Sequence, residues 1–225
     1  MMTLTICHFS DLHGNAPKLF AVQNKHADIY VCSGDFFPNA SRGDAEVEAP
    51  FQREWLHAPQ PKGSVIDRMV ALIGTAPFLW VGGNHDYIDL ADELRAQGVN
   101  AHTITPEGVK VCGLTFAGFR EIPYITGEWA GEAQQDTLRH LVYQTMQNGN
   151  PDVLVTHAPP AGIMDQDRGC GHGFGIQAIT SALAYTEHQV RMHLFGHIHA
   201  SQGTENIMGV QFCNGAGTVQ FHQLG

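Results

Sequence analysis

Seven candidate metal ligands lie in five short motifs along the chain. In chain order the motifs are Asp11-x-His13, Gly34-Asp35, Gly83-Asn84-His85-Asp86, His157 and Gly196-His197-x-His199. A gap of one residue, as in the first and last motifs, lets two side chains point toward one site from a turn. Mixed imidazole and carboxylate ligands are typical of sites for Mn, Fe, Zn or Ni, whereas Mg favours an all-oxygen shell. The residue types therefore indicate a transition-metal site.

An apolar run precedes each motif, and such runs are typical of buried strands. The runs span residues 4–9, 28–32, 78–81, 153–155 and 192–195. Two last strands are predicted at 210–213 and 218–222, and paired strands at 103–119 around Pro106-Glu107-Gly108. Glycine precedes Asp35, Asn84 and His197, which allows a tight turn where a Cβ atom would clash.

Helical patterns separate most of these strands, at residues 16–25, 64–73, 90–97, 132–146 and 175–185. Ser64 and Asp67 form a candidate capping box at the start of the second helix. Residues 36–63 are rich in Pro, Gly and charge, and they predict an irregular insertion within one domain of residues 1–225. Alternating strands and helices predict a layered α/β fold. In such folds ligands collect in the loops at the carboxyl ends of the strands.

The composition permits a metalloenzyme and disfavours a protein that coats nucleic acid. The chain has 14 His against 12 Lys plus Arg, and its formal net charge is -10. A histidine surplus favours a metal site, because imidazole is the commonest transition-metal ligand among side chains. An acidic chain is poorly suited to gripping long nucleic acid through its phosphates. Bound cations would offset part of the negative charge.

The five cysteines show no CxxC spacing, and core thiols are a better interpretation than a disulfide scaffold. The N-terminus lacks the basic region and apolar run of a signal peptide. No apolar segment approaches the roughly 20 residues that a membrane-spanning helix needs. We therefore expect a cytoplasmic protein without a membrane partner.

The order DxH, GD, GNHD, H and GHxH resembles the signature of the calcineurin-like metallophosphoesterases, and the resemblance runs from Asp11 to His199. It implies a four-layer αββα sandwich with a di-metal site in the strand-end loops. It assigns Asp11, His13 and His199 to a first metal ion, Asn84, His157 and His197 to a second, and Asp35 to both. His85 matches the catalytic histidine of the family. The implied activity is phosphoester hydrolysis through a water or hydroxide that bridges two ions, with Mn or Fe favoured over Zn or Ni.

Residues 156–165 and 194–199 further resemble a branch sometimes called the MPPED-type phosphodiesterases. Members of that branch are associated with hydrolysis of cyclic nucleotides and other phosphodiesters. The branch implies a small or nucleotide-like diester substrate. The segment 36–63 departs from the pattern of a minimal member of this branch.

The motifs do not match the Ser/Thr protein phosphatases. In those relatives the GD motif continues as GDxVDRG and the GNH motif continues into Glu-Arg. Here residues 34–40 read Gly-Asp-Phe-Phe-Pro-Asn-Ala, and Asp86-Tyr87 follows His85. The arginines that would hold a phosphate monoester through two hydrogen bonds are absent from those positions.

Three residues outside the metal motifs are candidates for substrate binding. Phe36 follows Asp35 directly and is suited either to stacking on a base or to packing under the insertion. Arg168 and Arg120 are candidate cations for a phosphate oxygen. A phosphomonoesterase and a nucleotide pyrophosphohydrolase remain alternatives with the same metals, and a metal-free scaffold is less favoured because every motif position is filled. A nuclease would need a basic groove lined with aromatic side chains, which no Lys/Arg cluster supports.

Overall fold

Two stacked β-sheets form the centre of the fold. The computed structural model describes residues 3–167 and 173–225. The first sheet contains, in spatial order, β13 (Val219–Leu224), β1 (Leu4–Phe9), β2 (Ile29–Cys32), β3 (Phe78–Trp80) and β4 (Ala101–Thr103). The second contains β11 (Gly203–Ile207), β12 (Val210–Asn214), β10 (Met192–Phe195), β9 (Val153–Thr156), β6 (Leu114–Phe119) and β5 (Val109–Val111). A short pair, β7 (Ile122–Pro123) and β8 (Glu132–Ala133), lies outside both sheets.

The inner strands of each sheet run parallel. Strands β1 to β4 are parallel to one another, and β13 pairs with β1 in the antiparallel sense. Strands β6, β9, β10 and β12 are likewise parallel, with β5 and β11 antiparallel at the two edges. Each metal motif therefore follows the carboxyl end of a parallel strand, as the sequence predicts.

Helices cover the outer face of each sheet. They are α1 (Pro17–Phe20), α2 (Ala45–His57), α3 (Val65–Ile73), α4 (Leu90–Ala96), α5 (Gln135–Gln144) and α6 (Gln177–Tyr185). Buried residues of α1 to α4 pack on the first sheet, and those of α5 and α6 pack on the second. The molecule is thus a mixed α/β sandwich of four layers, in agreement with the predicted fold class.

Side chains that point alternately to the two faces of each strand form the apolar surfaces between the layers. In β2, Ile29 and Val31 point into the cluster between the two sheets, whereas Tyr30 and Cys32 join the cluster beneath the helices. Successive strand residues face opposite sides of a sheet, so a strand that is buried on both faces reads as a continuous apolar run. This explains why the apolar runs are the clearest element signals in the sequence.

The capping box predicted at Ser64 is present. The Ser64 hydroxyl accepts a hydrogen bond from the Asp67 amide, and the Asp67 carboxylate accepts one from the Ser64 amide. Helix α3 then runs to Ile73 and ends at Gly74. In the described part of the chain, no helix is long and apolar enough to cross a membrane.

The prediction that residues 36–63 are irregular is wrong, because they contain the 13-residue helix α2. Its buried face carries Glu48, Gln52 and Leu56, which are spaced four residues apart as a helix requires. Two of these three residues are polar, so the helical period does not appear in a search for apolar residues. Asp44 caps the helix, and Pro50 lies inside it.

Several predicted boundaries also need correction. The tight turn of the paired strands lies at Cys112-Gly113, where both residues have positive φ, and not at Pro106-Glu107-Gly108. The helix predicted at 16–25 covers only Pro17–Phe20. In the predicted helix 132–146, Glu132–Ala133 is a strand, the α-helix starts at Gln135, and a π-helical turn follows at Thr145–Gly149. Strand β11 has no apolar period in the sequence, because most of its residues are exposed or half-buried.

Candidate metal centre

The predicted ligands come together at the carboxyl edges of the two sheets. Within each of three overlapping groups, the ligand atoms lie within 4.8 Å of one another. The groups are Asp11, His13 and His199; His13, Asp35 and His85; and Asp35, His157 and His197. Asn84 joins the third group, since its Oδ1 lies 3.1 Å from His157 Nε2. Residues from five separate loops, far apart in the chain, therefore share one site.

Asp35 lies at the centre of the cluster. Its Oδ2 is 3.2 Å from His157 Nε2, 3.9 Å from His13 Nε2 and 4.0 Å from His85 Nε2. The side chain is buried, and its Oδ1 accepts a hydrogen bond from the His85 amide. One carboxylate thus faces residues of both ligand sets.

Asp11 occupies the corresponding position on the other side of the site. Its Oδ1 is 3.5 Å from His199 Nε2 and 4.0 Å from His13 Nε2. The Ser10 hydroxyl and the His197 amide both donate hydrogen bonds to this carboxylate, at 2.5 and 2.9 Å. These donors fix the carboxylate in place before any cation binds.

Four of the predicted ligands have left-handed backbone conformations. The φ angles are 52° at Asp11, 44° at His13, 52° at Asp35 and 68° at His197. Such angles are uncommon for residues other than glycine, although Asp and His tolerate them better than most. Strained conformations of this kind concentrate at functional sites. The loops therefore hold their side chains inward at a conformational cost.

Glycines beside the ligands allow the loops to approach closely, as the sequence predicts. A Cβ atom added at Gly83 would lie 2.2 Å from Asp35 Oδ1, and one at Gly196 would lie 2.1 Å from Asp11 Oδ2. At Gly34 it would lie 2.6 Å from His157 Nδ1. Any larger residue at these positions would displace a predicted ligand.

Asp86 joins two of the ligand loops. Its buried carboxylate accepts hydrogen bonds from the amides of Asp35, Phe36, Phe37 and Gly83, at 2.6 to 3.2 Å. Burial and the nearby Asp35 carboxylate raise the pKa of Asp86 to about 6. These contacts assign Asp86 a role in holding the two loops together.

Opposite charges shift the titration of the buried pair Asp35 and His157. Burial acts to lower the pKa of His157, but the Asp35 carboxylate outweighs burial and raises it to about 9. The same attraction holds the pKa of Asp35 below its usual range, against the effect of burial. His157 Nδ1 donates a hydrogen bond to the Ser33 carbonyl oxygen at 2.8 Å, which directs Nε2 into the site. Burial and the charge of His157 lower the pKa of His197 to about 4.

His85 is held by Asn39, a residue outside the sequence motifs. His85 Nδ1 donates to Asn39 Oδ1 at 2.7 Å, and Asn39 Nδ2 donates to the His85 carbonyl at 3.1 Å. These two bonds fix the imidazole with Nε2 toward Asp35. Burial, the largest influence, lowers the pKa of His85. Asn39 belongs to no motif that would distinguish it from an ordinary loop residue.

Of the predicted substrate residues, Phe36 lies in the core. Phe36 is fully buried and packs against Phe9, Phe37 and Trp55, so its ring is not available to a substrate. The physical reason is that the chain after Asp35 turns into the core beneath α2. Arg168 lies outside the described residues. Arg120 donates through Nη2 to the carbonyls of Gly83 and Asp86.

The chain matches a model of a protein family. A model described as calcineurin-like phosphoesterase matches residues 4–201, which include all of the motifs. A search of curated proteins found no significant match.

Solved structures share the fold at low sequence identity. One matches with a TM-score of 0.66 and 16% identity, covering 100% of both chains. The TT1561 protein of Thermus thermophilus matches with a TM-score of 0.60 and 13% identity, over 95% of this chain and 89% of that one. A Staphylococcus aureus structure, described as a candidate 5′-nucleotidase in complex with alpha-ketoglutarate, has a TM-score of 0.55 and 14% identity. The match covers 100% of this chain and 51% of that one.

Proposed function

We propose, from the premise that this chain belongs to the calcineurin-like phosphoesterase family, that it hydrolyses phosphodiester bonds of a small or nucleotide-like substrate with two metal ions. The observation that carries the proposal is the set of three ligand groups, two of which share Asp35. Independent loops have no packing reason to bring two buried carboxylates and five histidines to one place, since burying charged groups without partners is costly.

The donor set fits two transition-metal ions. Asp11, His13 and His199 would hold one ion, Asn84, His157 and His197 the other, and Asp35 both. Imidazole nitrogens mixed with carboxylate and amide oxygens suit Mn, Fe, Zn or Ni. When bound, such ions supply Lewis acidity, which polarises a phosphoryl group and lowers the pKa of water.

His85 is the proposed general acid. Its Nε2 lies 4.0 Å from Asp35 Oδ2, so the ring borders the place where a phosphoryl group would bind. The hydrogen bond from Nδ1 to Asn39 keeps Nε2 in this direction. In its protonated form, His85 would donate the Nε2 proton to the oxygen of the departing alcohol.

The surroundings favour a diester over a monoester. A monoester carries an additional negative charge, which a nearby arginine usually neutralises. Arg120 is engaged by two backbone carbonyls, and the arginines of the protein phosphatases have no counterpart in the GD and GNHD motifs. The likeness of residues 156–165 to the MPPED-type branch also supports a diester substrate.

A phosphomonoesterase is the second candidate. The Staphylococcus aureus structure described as a candidate 5′-nucleotidase has the same fold. At 14% identity this likeness concerns the fold alone. We favour the diester because Arg120, a candidate cation for a monoester, is bound to two backbone carbonyls.

The test compares two chromogenic esters. The purified protein is stripped of metal, reloaded with Mn²⁺, and assayed with bis-p-nitrophenyl phosphate and p-nitrophenyl phosphate. We expect metal-dependent turnover with a preference for the diester, lost in Asp35→Asn and His85→Ala but retained in His140→Ala, which alters an exposed histidine outside the site. A monoester preference would favour the second candidate. Absence of turnover and of metal binding would refute the proposed function.

A further inference from the structure

Two side chains outside the metal motifs extend the site from His85. The Trp129 indole lies against the His85 imidazole, with ring centroids 4.3 Å apart and planes inclined by 45°. The Arg42 guanidinium lies over the same indole, with Cζ 5.1 Å from the ring centroid. The three side chains form a continuous row that begins at the ligand cluster and ends at an exposed cation.

The loop that carries Trp129 is held in position by Glu132. The Oε2 of Glu132 accepts hydrogen bonds from the amides of Ile125, Thr126 and Gly127, and its Oε1 accepts one from the amide of Trp129. Four donors on one carboxylate define the shape of residues 125–129. The indole is therefore placed beside His85 before any substrate binds, which lowers the entropic cost of binding a substrate against it.

The loop that carries Arg42 packs directly on the Trp129 loop. Gly43 has a φ of 79°, and a Cβ atom there would lie 1.9 Å from the Glu128 carbonyl oxygen. Residues before helix α2 and residues before strand β8 thus meet beside His85. Glycine is needed at this contact for both its backbone angle and its small size.

Arg42 is available to bind an anion. Its contact with Glu128 is loose, with Nε 3.4 Å from Oε2, and the two side chains are 63% and 57% exposed. Exposed ion pairs of this kind contribute little, because water and salt screen them. In a chain with a formal net charge of -10, a loosely paired guanidinium at the edge of the candidate site is suited to an anionic ligand.

We propose that Trp129 and Arg42 form a leaving-group subsite, selective for a leaving group that has an aromatic ring and an anionic group beyond it. This inference rests on the proposed function, in which His85 protonates the leaving oxygen. The leaving group must then lie beside His85, where the indole offers an apolar edge to a ring. Beyond the indole, the guanidinium offers a planar pair of donors to a carboxylate or phosphate. A nucleotide combines both features.

The decisive experiment varies the charge of the leaving group. The Mn²⁺-loaded enzyme is assayed with methyl 4-carboxyphenyl phosphate and methyl 4-carbamoylphenyl phosphate, which release a charged and a neutral phenol. We expect kcat/KM to be roughly tenfold higher for the charged leaving group, as one additional charge-assisted hydrogen bond would give. Arg42→Ala should reduce this ratio to about one, after correction for the nonenzymatic rates of the two esters, and Arg42→Lys should retain part of it.

Matched variants separate this role from a general effect on the fold. Arg139 is similarly exposed, at 69%, and pairs with an acid on helix α5, so Arg139→Ala should leave the ratio unchanged. Trp129→Ala should raise KM for both aryl esters, and Trp129→Phe should restore most of the affinity. A ratio near one in the parent enzyme, or a ratio that survives Arg42→Ala, would overturn the inference even though the enzyme is active.

A binding measurement needs neither metal nor turnover. The free products, 4-hydroxybenzoate and 4-hydroxybenzamide, are titrated into metal-free protein while the indole N–H signal of Trp129, assigned with Trp129→Phe, is followed by NMR. We expect a larger affinity for the carboxylate and its loss in Arg42→Ala. If this preference is present but neither ester is cleaved with any metal, the subsite stands and the proposed hydrolysis fails. Equal binding of the two phenols would count against the subsite.

Discussion

The Asp86 carboxylate illustrates how a single residue fixes the site without facing it. It accepts hydrogen bonds from four backbone amides of the Asp35 and Gly83 loops. Each buried donor left without a partner costs about 1–3 kcal/mol. We therefore expect Asp86→Ala to lower the free energy of unfolding by at least about 3 kcal/mol, measured by urea denaturation, and to weaken metal binding, measured by calorimetry.

The control for Asp86 is an acid of the same type on the surface. Asp92 pairs with Arg95 on an exposed face of α4, so Asp92→Ala should change the unfolding free energy by less than about 1 kcal/mol. If Asp86→Ala were no more destabilising than Asp92→Ala, the amides would have found other partners and the role given to Asp86 would be incorrect.

Asn39 is expected to act through His85 alone. Asn39→Ala removes the acceptor for His85 Nδ1, so the imidazole loses its fixed direction. We predict a fall in kcat of about 10- to 100-fold, which is part of the roughly 10²- to 10⁴-fold contribution of a general acid or base, with KM and metal content nearly unchanged. Metal analysis alongside steady-state kinetics checks this prediction. Loss of metal from the variant would instead show that Asn39 supports the ligand cluster.

At the residue scale, the sequence identifies side chains whose chemistry requires a short motif. His197 and His199 are found because two imidazoles are separated by one residue at a predicted strand end. Asn39 and Trp129 are not found, because their roles depend on contacts with His85 across long stretches of chain. Phe36 shows the opposite error, since its neighbour Asp35 faces the site while its own ring enters the core.

At the scale of elements, the apolar pattern does not reveal helix α2, because two of the three buried residues of the helix are polar. Gln52 contacts the backbone of Pro38, His85 and Tyr87, and Glu48 accepts hydrogen bonds from the amides of Ala40 and Ser41. The helix thus packs on loop backbone and not only on apolar side chains. Periodicity of apolar residues predicts packing on apolar side chains, but it does not predict packing on loop backbone.

Two neighbouring glycines after β3 provide a matched test of the loop geometry. A Cβ atom at Gly83 would lie 2.2 Å from Asp35 Oδ1, whereas one at Gly82 would make an ordinary contact of 3.4 Å with Arg120 Cζ. Gly83→Ala should therefore weaken metal binding at least about tenfold, which is the usual cost of disturbing a group that orients a metal ligand. Gly82→Ala should bind metal like the parent protein. Calorimetric titration with Mn²⁺ compares the two, and equal affinities would contradict the close approach seen at Gly83.

At the scale of the whole molecule, strand polarity accounts for the site. The carboxyl ends of two parallel strand sets meet where the sheets stack, and every motif lies in a loop at such an end. The sequence predicts the order of these strands because their apolar runs are continuous. It does not predict which sheet each strand joins, because that depends on long-range pairings such as β1 with β13 and β10 with β12.

Buried histidines outside the candidate site should make the fold sensitive to acid. Burial lowers the pKa of His193 to about 3 and that of His222 to about 4. The unfolded chain, with histidine pKa values near 6.5, therefore binds more protons than the folded chain at pH 5. Stability due to these groups is fully present above about pH 7 and decreases as the pH falls toward 4. We expect each histidine to lower the unfolding free energy by up to about 2 kcal/mol between pH 7 and pH 5.

Urea denaturation of metal-free protein at pH 7, 6 and 5 measures this dependence. His193→Asn removes one titrating group, and although it disturbs the bond to Thr156 Oγ1, that cost is nearly independent of pH. The variant should therefore lose less stability between pH 7 and pH 5 than the parent protein. His140→Asn, at an exposed position, should leave the slope unchanged. An identical slope in His193→Asn would mean that His193 is protonated in the folded state and that the acid sensitivity arises elsewhere in the molecule.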